Sequence, residues 1–230
     1  MRPHVRWLPG RESELLLITL LYAALLAITA WNRAEPAAGL IVLVTLELAL
    51  PVALGIVAAG LMANDPALDL LLSVPQPAPY TLAQRLAALL VYGLFLAALV
   101  LLAARGWELP LPIAGVQALL IWAAPAALLV GVATVGALMR GRMLDGAALV
   151  LAVAGMALLS LAAASDCPPD LRRPCHAALA SPLMTLVRPQ DPLWLVNRVF
   201  WLSVGGLLLA TGSWLVRQEE RLLAAATGEE

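Results

Sequence analysis

The hydrophobic pattern divides the chain into six long apolar stretches separated by short polar or proline-rich segments. Each stretch is long enough, or nearly so, to cross about 30 Å of hydrocarbon, for which about 20 helical residues are needed. The pattern predicts an all-α integral membrane protein in which residues 1–230 form a single transmembrane domain. The predicted spans are Leu15–Trp31, Ala37–Ala63, Tyr80–Ala104, Ile113–Met139, Ala147–Ala164 and Leu193–Val216.

The composition supports a membrane location and excludes several kinds of chemistry. Hydrophobic residues make up 62% of the chain and charged residues 13%, whereas soluble domains average about 45–50% and about 25%. The net charge of −1 gives no reason to expect a nucleic-acid partner. All basic residues are arginines, and without a lysine the chain has neither a P-loop nor a Schiff-base lysine. We therefore expect a non-enzymatic chain with no cofactor or metal of its own.

The distribution of arginines predicts the orientation in the membrane. Short cytoplasmic loops carry more arginine and lysine than short outer loops. With the N-terminus inside, the inner segments contain eight arginines and the short outer loops contain only Arg33 and Arg105. We assign Arg172, Arg173, Arg188 and Arg198 to the long outer segment or its border, where the rule is weak. The count predicts a multi-pass protein of a bacterial-type inner membrane with both termini in the cytoplasm.

The first apolar stretch has a second interpretation, a cleaved signal peptide. The arginines before it are typical of such peptides. Glu12 and Glu14 adjoin the apolar core, however, and no clear A-x-A cleavage motif follows. We favour a retained first span.

A long outer segment, Ser165–Pro192, separates the fifth and sixth spans and contains both cysteines. On the oxidising side of the membrane, Cys167 and Cys175 would form a disulfide that closes a small proline-rich loop. Free thiols are the first alternative. A metal site with His176 and Asp170 is the second, although this spacing matches no known zinc pattern.

Within the same segment, the run HAALASPLMTLV is mostly apolar and too short to span a bilayer. A run of this length is typical of a re-entrant or interfacial helix. The alternative is a hydrophobic loop packed on the end of the bundle.

The segment between the second and third spans, NDPALDLLLSVPQPAP, predicts a short capped helix. Asp65 is a good N-cap and Pro66 suits the first helical position. Leu68, Leu71 and Leu72 fall on one helical face, and the prolines that follow end the helix. The helix is either a connector at the lipid interface or an element that docks on a soluble partner.

Two stretches carry a resemblance to a known family. ALDLLLSVP, placed after a span and followed by prolines, resembles the coupling-helix segment of type-2 ABC export permeases. DPLWLVNRVFWLSVGGLLLATGSWLVRQEERL is similar to the last span and charged tail of the same family. The chain departs from the family at its N-terminus, where prolines interrupt the region of the usual elbow helix.

The resemblance implies a permease subunit that couples ATP hydrolysis on a separate nucleotide-binding subunit to export of a substrate. ATP and Mg²⁺ would belong to that partner, and a second permease copy or a sister permease would complete the transporter. The segment between spans two and three would then be the cytoplasmic coupling helix. The residues implied to dock on the ATPase are Asp65, Pro66, Leu68, Asp69, Leu71 and Leu72.

Two other functions remain open at this point. A secondary carrier would use inverted repeats and buried ion-coupling residues. A non-catalytic subunit or assembly factor of another membrane complex would need only the six spans.

Glu47 is the candidate functional residue inside a span. It lies near the middle of the second span, where an acidic residue is costly and marks a functional hypothesis. It would either line a pathway or join helices by hydrogen bonding, with Gln117 as the expected partner. We favour the structural role, because we expect no second buried charge in the spans.

Overall fold

The computed structural model describes residues 12–35, 37–63, 78–109, 111, 113, 117–140, 142–165, 181–186 and 188–227. Within these residues the chain is helical, with turns and no β-strand. Six helices are long enough and apolar enough to cross a membrane. The predicted all-helical, six-span architecture is confirmed at this level.

The six spans are built from seven α-helices and one π-helical turn. The second span consists of α2, the π turn and α3 in succession, and each other span is a single helix. The bounds are α1 Glu12–Trp31, α2 Ala37–Val44, the π turn Thr45–Ala49, α3 Leu50–Ala63, α4 Ala78–Gly106, α5 Gln117–Arg140, α6 Met143–Ser165 and α7 Trp194–Thr227.

The ends of the helices differ from the predicted ends by a few residues. α5 begins at Gln117 rather than Ile113, and α6 begins at Met143, before the predicted Ala147. α7 continues beyond Val216 to Thr227 through a charged stretch. Hydropathy marks where a helix enters lipid, whereas the backbone hydrogen bonds of the helix continue into water. This explains the earlier start of α6 and the later end of α7.

Two predicted features lie outside the described residues. The segment 64–77, with the predicted coupling helix, is one of them, and 166–180, with both cysteines, is the other. Of the run HAALASPLMTLV, the described part is a turn followed by a 3₁₀ turn, Met184–Leu186.

α5 is the central helix of the bundle. It is the most buried of the six spans and packs against α3, α6 and α7. Pro125 lies inside α5 and is accommodated without ending the helix. The faces of the outer helices expose large apolar side chains, such as Leu207 and Phe200 of α7 and Leu159 of α6. A hydrocarbon environment suits such faces.

Glycines allow α5 and α7 to approach closely. Gly205 of α7 lies directly on the backbone of α5, so that a Cβ there would be 2.6 Å from the nitrogen of Leu128. Gly212 of α7 lies against the side chain of Thr134 in α5, and a Cβ there would be 2.8 Å from Cγ2. Close approach through small residues is the usual mode of helix packing in membranes, where lipid removes the hydrophobic drive for association.

We expect Gly205→Ala to destabilise the protein by about 1–3 kcal/mol, because the added methyl group would force α5 and α7 apart. The neighbouring Gly206→Ala is the matched control, since nothing lies within 4 Å of a Cβ at Gly206. Thermal unfolding in detergent, followed by tryptophan fluorescence, measures both variants. Equal behaviour of the two variants would mean that α5 and α7 do not pack through Gly205.

Candidate functional site

Glu47 lies in the π turn that interrupts the second span. The amide of Leu50 donates to the carbonyl oxygen of Thr45, which gives the wider i→i+5 ring of a π helix. Pro51 follows immediately and has no N–H to donate to the carbonyl of Glu47. The α-helical pattern therefore lacks the hydrogen bond to the carbonyl of Glu47, and the π turn forms around this residue. Single π turns within α-helices are frequent at functional sites.

A non-helical segment precedes the sixth span and packs inside the bundle. Ser181, Leu183 and Met184 are buried, and Met184–Leu186 form a 3₁₀ turn. The Ser181 hydroxyl donates to the carbonyl of Ala157 in α6 at 3.1 Å, which ties the segment to the fifth span. Prolines at 182, 189 and 192 prevent a continuous helix here.

The carboxylate of Glu47 binds to this segment and to α7. The Thr185 amide donates to Oε1 at 3.1 Å, and the Leu186 amide donates to Oε2 at 3.0 Å. The Arg198 guanidinium donates through Nη2 to Oε1 and forms an ion pair with it. Each carboxylate oxygen therefore receives a backbone N–H, and one of them also receives the guanidinium.

Arg198 is held in place by further hydrogen bonds. Its Nη1 donates to the carbonyl of Pro182 at 2.7 Å, and its Nη2 also donates to the Thr185 hydroxyl at 2.8 Å. The guanidinium carbon lies 5.5 Å from the centre of the Trp194 ring, within cation–π range. Trp194 in turn donates through Nε1 to the Thr185 hydroxyl at 2.9 Å. We call Glu47, Thr185, Leu186, Trp194 and Arg198 the Glu47–Arg198 cluster.

Both charges of the cluster are fully buried. Glu47 and Arg198 each have 0% exposed surface. Two charges removed from water carry a large desolvation penalty, which their attraction offsets only when the remaining donors and acceptors are also hydrogen-bonded. The two backbone amides and the Pro182 carbonyl supply these additional hydrogen bonds. The cluster is therefore held by these hydrogen bonds as well as by charge.

A second buried ion pair fixes the start of α7. Arg188 lies 3.4 Å from Asp191 (Nη1 to Oδ2). Oδ1 of Asp191 accepts a hydrogen bond from the Leu193 amide at 2.9 Å, and the Trp194 amide donates to the Asp191 carbonyl at 2.9 Å. Asp191 thus satisfies amides at the beginning of the helix, as a capping residue does. Asn197, one turn into α7, donates to the Ser181 carbonyl at 2.9 Å.

The structure changes the expected surroundings of Glu47. Gln117 is exposed at the start of α5, and the carboxylate is bound by Arg198 and two amides instead. The expectation that the spans hold no second buried charge is wrong. The arginine count treats Arg198 as a residue in or beside the outer segment, but its side chain is fully buried, and it is the fifth residue of α7. The sequence contained one signal for this ion pair: Glu47 and Arg198 are opposite charges that lie within separate apolar stretches.

The other predicted site residues lie outside the described residues. The docking residues Asp65, Pro66, Leu68, Asp69, Leu71 and Leu72, and the disulfide between Cys167 and Cys175, stay predictions.

Comparisons with protein-family models, curated proteins and solved structures found no match to this chain. Functional inference therefore depends on the geometry of the spans and the Glu47–Arg198 cluster, together with the sequence resemblance.

We expect that exchanging the two charges, Glu47→Arg with Arg198→Glu, does not restore stability. The Thr185 and Leu186 amides are donors, so they bind a carboxylate at position 47 and would oppose a guanidinium there. The loss should resemble that of a broken buried pair, about 3–5 kcal/mol. Thermal unfolding in detergent measures the exchange variant against the wild type.

The control for this exchange is Arg33→Glu, which reverses an exposed charge and should change stability by no more than about 0.5 kcal/mol. If the exchange variant regained wild-type stability, the charges alone would hold the cluster and the amides would be unimportant.

Proposed function

We propose that this chain is the membrane-spanning permease subunit of a type-2 ABC export transporter. It couples ATP hydrolysis on separate nucleotide-binding subunits to the movement of a substrate across the membrane. The observation that carries the proposal is an irregular segment, of which residues 181–186 and 188–193 are described, bound inside a six-span bundle by the Glu47–Arg198 cluster. The sequence resemblance of the segment after span two supports the ABC class.

Residue counts support a re-entrant position for this segment. Spans two and six run in the same direction, so Ala37 and Trp194 begin helices from the same side of the membrane. Glu47 is ten residues into its span, or about 15 Å at about 1.5 Å per residue. Arg198 is four residues into α7, or about 6 Å. Because the two side chains meet, the start of α7 would lie up to about 9 Å deeper than the start of α2, which supports a re-entrant position for the preceding segment.

Irregular backbone at this depth supports a transport role. Non-helical segments are tolerated in the bilayer only when protein surrounds them or when they line a water-filled cavity. In transporters, breaks of this kind provide backbone groups for binding substrates and ions. Charged residues inside spans likewise mark transport pathways. The cluster combines irregular backbone and buried charged residues in one place.

The proposed assembly contains two permease chains and two ATPase subunits. The partner of this chain is a second copy or a sister permease, and the remaining surface faces the lipid bilayer. Leu68, Leu71 and Leu72 would insert into a groove of the ATPase, with Asp65 and Asp69 at its rim. Both termini would then lie in the cytoplasm, on the side of the ATPase.

A secondary carrier is the second candidate, and the buried ion pair favours it. Carriers couple transport to ions through buried charged residues near the middle of the membrane. Glu47, with Arg198 beside it, would supply such a group. A carrier needs no ATPase, so the two candidates differ in their stable partners.

We expect an ATPase subunit to co-purify with the wild-type protein from its native host in mild detergent. Leu68→Asp with Leu72→Asp should abolish this association, because two carboxylates would be buried in the docking groove without partners. Mass spectrometry of the purified complex, together with thermal unfolding of the variant, measures the result.

The matched control is Met139→Asp with Leu144→Asp. Both side chains are more than 70% exposed, at the neighbouring helix ends predicted to face the cytoplasm. This control adds the same two charges on the same side and should retain the ATPase. Well-folded wild-type protein that brings down no ATPase would contradict the permease function and favour the carrier.

A further inference from the structure

We propose that the Glu47–Arg198 cluster is a binding site for the anionic headgroup of an amphipathic substrate, and that Glu47 occupies the headgroup position in the conformation described here. The ligand class is a carboxylate or phosphate attached to an apolar tail. The inference depends on the proposed function as a transporter and names the class of its substrate.

The donors of the cluster form an anion site. Two consecutive backbone amides, of Thr185 and Leu186, point at the two oxygens of one carboxylate. The planar guanidinium of Arg198 suits carboxylate and phosphate groups equally. Its Nε is buried and has no hydrogen-bond partner among the described residues. The same arginine therefore has a further donor for an anion with more oxygens than a carboxylate.

The π turn provides a way for Glu47 to leave the site. A π turn holds one more residue than an α-helical turn, and its conversion to α-helix shifts the following residues by one position. One position corresponds to a rotation of about 100° around the helix axis. The side chain of Glu47, in the centre of Thr45–Ala49, would then point away from the Thr185 and Leu186 amides. The donors themselves are held by Pro182, Trp194 and Ala157 and would stay in place.

Removal of Glu47 from the site requires a replacement anion. A single unpaired charge buried in a protein is strongly unfavourable. Arg198 is fully buried, so loss of its partner would be opposed unless another anion entered. When the headgroup of a substrate replaces the Glu47 carboxylate, the guanidinium and both amides still have an anion to bind.

The surroundings of Arg198 indicate an apolar tail on the ligand. On α7, Leu195, Val196 and Val199 are each about half exposed, whereas Arg198 between them is completely buried. The charged site therefore adjoins an exposed apolar face. A molecule with its anionic group on the cluster has apolar surface available for its tail within one helical turn.

The test is binding of radiolabelled laurate to the protein in nanodiscs of zwitterionic lipid, with empty nanodiscs subtracted. In the wild-type protein, the Glu47 carboxylate must leave the site before laurate binds. The apparent affinity for laurate is therefore the intrinsic affinity multiplied by the fraction of molecules in which the site is open. We expect Glu47→Ala, which removes this competitor, to bind laurate at least about tenfold more tightly. Dodecanol, which has the same chain length and no charge, should show no such increase.

The loss-of-site variant is Glu47→Leu with Arg198→Leu. It removes both charges together and so avoids a lone buried charge that would prevent folding. We expect it to bind no laurate above empty nanodiscs. Arg105→Leu removes an exposed arginine and should bind as the wild type does. If Glu47→Ala does not fold alone, laurate should restore its thermal unfolding transition, and dodecanol should not.

Two results would overturn the inference: Glu47→Ala binding no more tightly than wild type, or the double leucine variant binding as well as Glu47→Ala. Dodecyl phosphate, compared with laurate on Glu47→Ala, assigns the headgroup to phosphate or carboxylate. The assay needs no ATPase, so its failure leaves the co-purification result intact. Conversely, laurate binding without any co-purifying ATPase would place the same site in a carrier.

Discussion

The contact between the Glu47 carboxylate and the Arg198 guanidinium determines how the last third of the chain joins the bundle. It connects the middle of the second span to the beginning of the sixth, and the intervening turn at residues 181–186 is bound between them. Each of the three parts contributes to the other two: the carboxylate needs donors, the guanidinium needs acceptors, and the Thr185 and Leu186 amides donate to the carboxylate. In a low-dielectric environment, unsatisfied groups of this kind are strongly unfavourable.

The rest of the bundle is held by a different principle. Gly131 and Gly205 bring α5 and α7 into backbone contact, and Gly146 brings α6 against the Ala133 carbonyl of α5 and the Ala59 side chain of α3. Such packing depends on shape and tolerates no added atoms. The sixth span is therefore joined to the bundle in two ways, by the hydrogen bonds of the polar cluster near its start and by glycine contacts further along.

A site that combines a hydrogen-bonded buried ion pair with a π turn suits a two-state device. The cluster is stable because every charged group is paired, yet one of its parts is supplied by a helical segment with an alternative, regular conformation. The energy of the buried pair therefore opposes movement of the second span until another group replaces Glu47. In the proposed binding mode, the ligand would control the conformation of the second span by replacing Glu47.

The sequence by itself determined the class of fold, because lipid requires long apolar helices and their length and order can be counted along the chain. It also identified Glu47 as unusual, since a single acid in an apolar run stands out. It did not identify the partner: Arg198 is near the end of an apolar stretch, where a charge is ordinarily assigned to the membrane surface. Only the tertiary structure decided that Arg198 is buried against Glu47 and that Thr185 and Leu186 direct their amides at the same carboxylate. These features depend on contacts between residues about 140 to 150 positions apart, which no local pattern of hydrophobicity records.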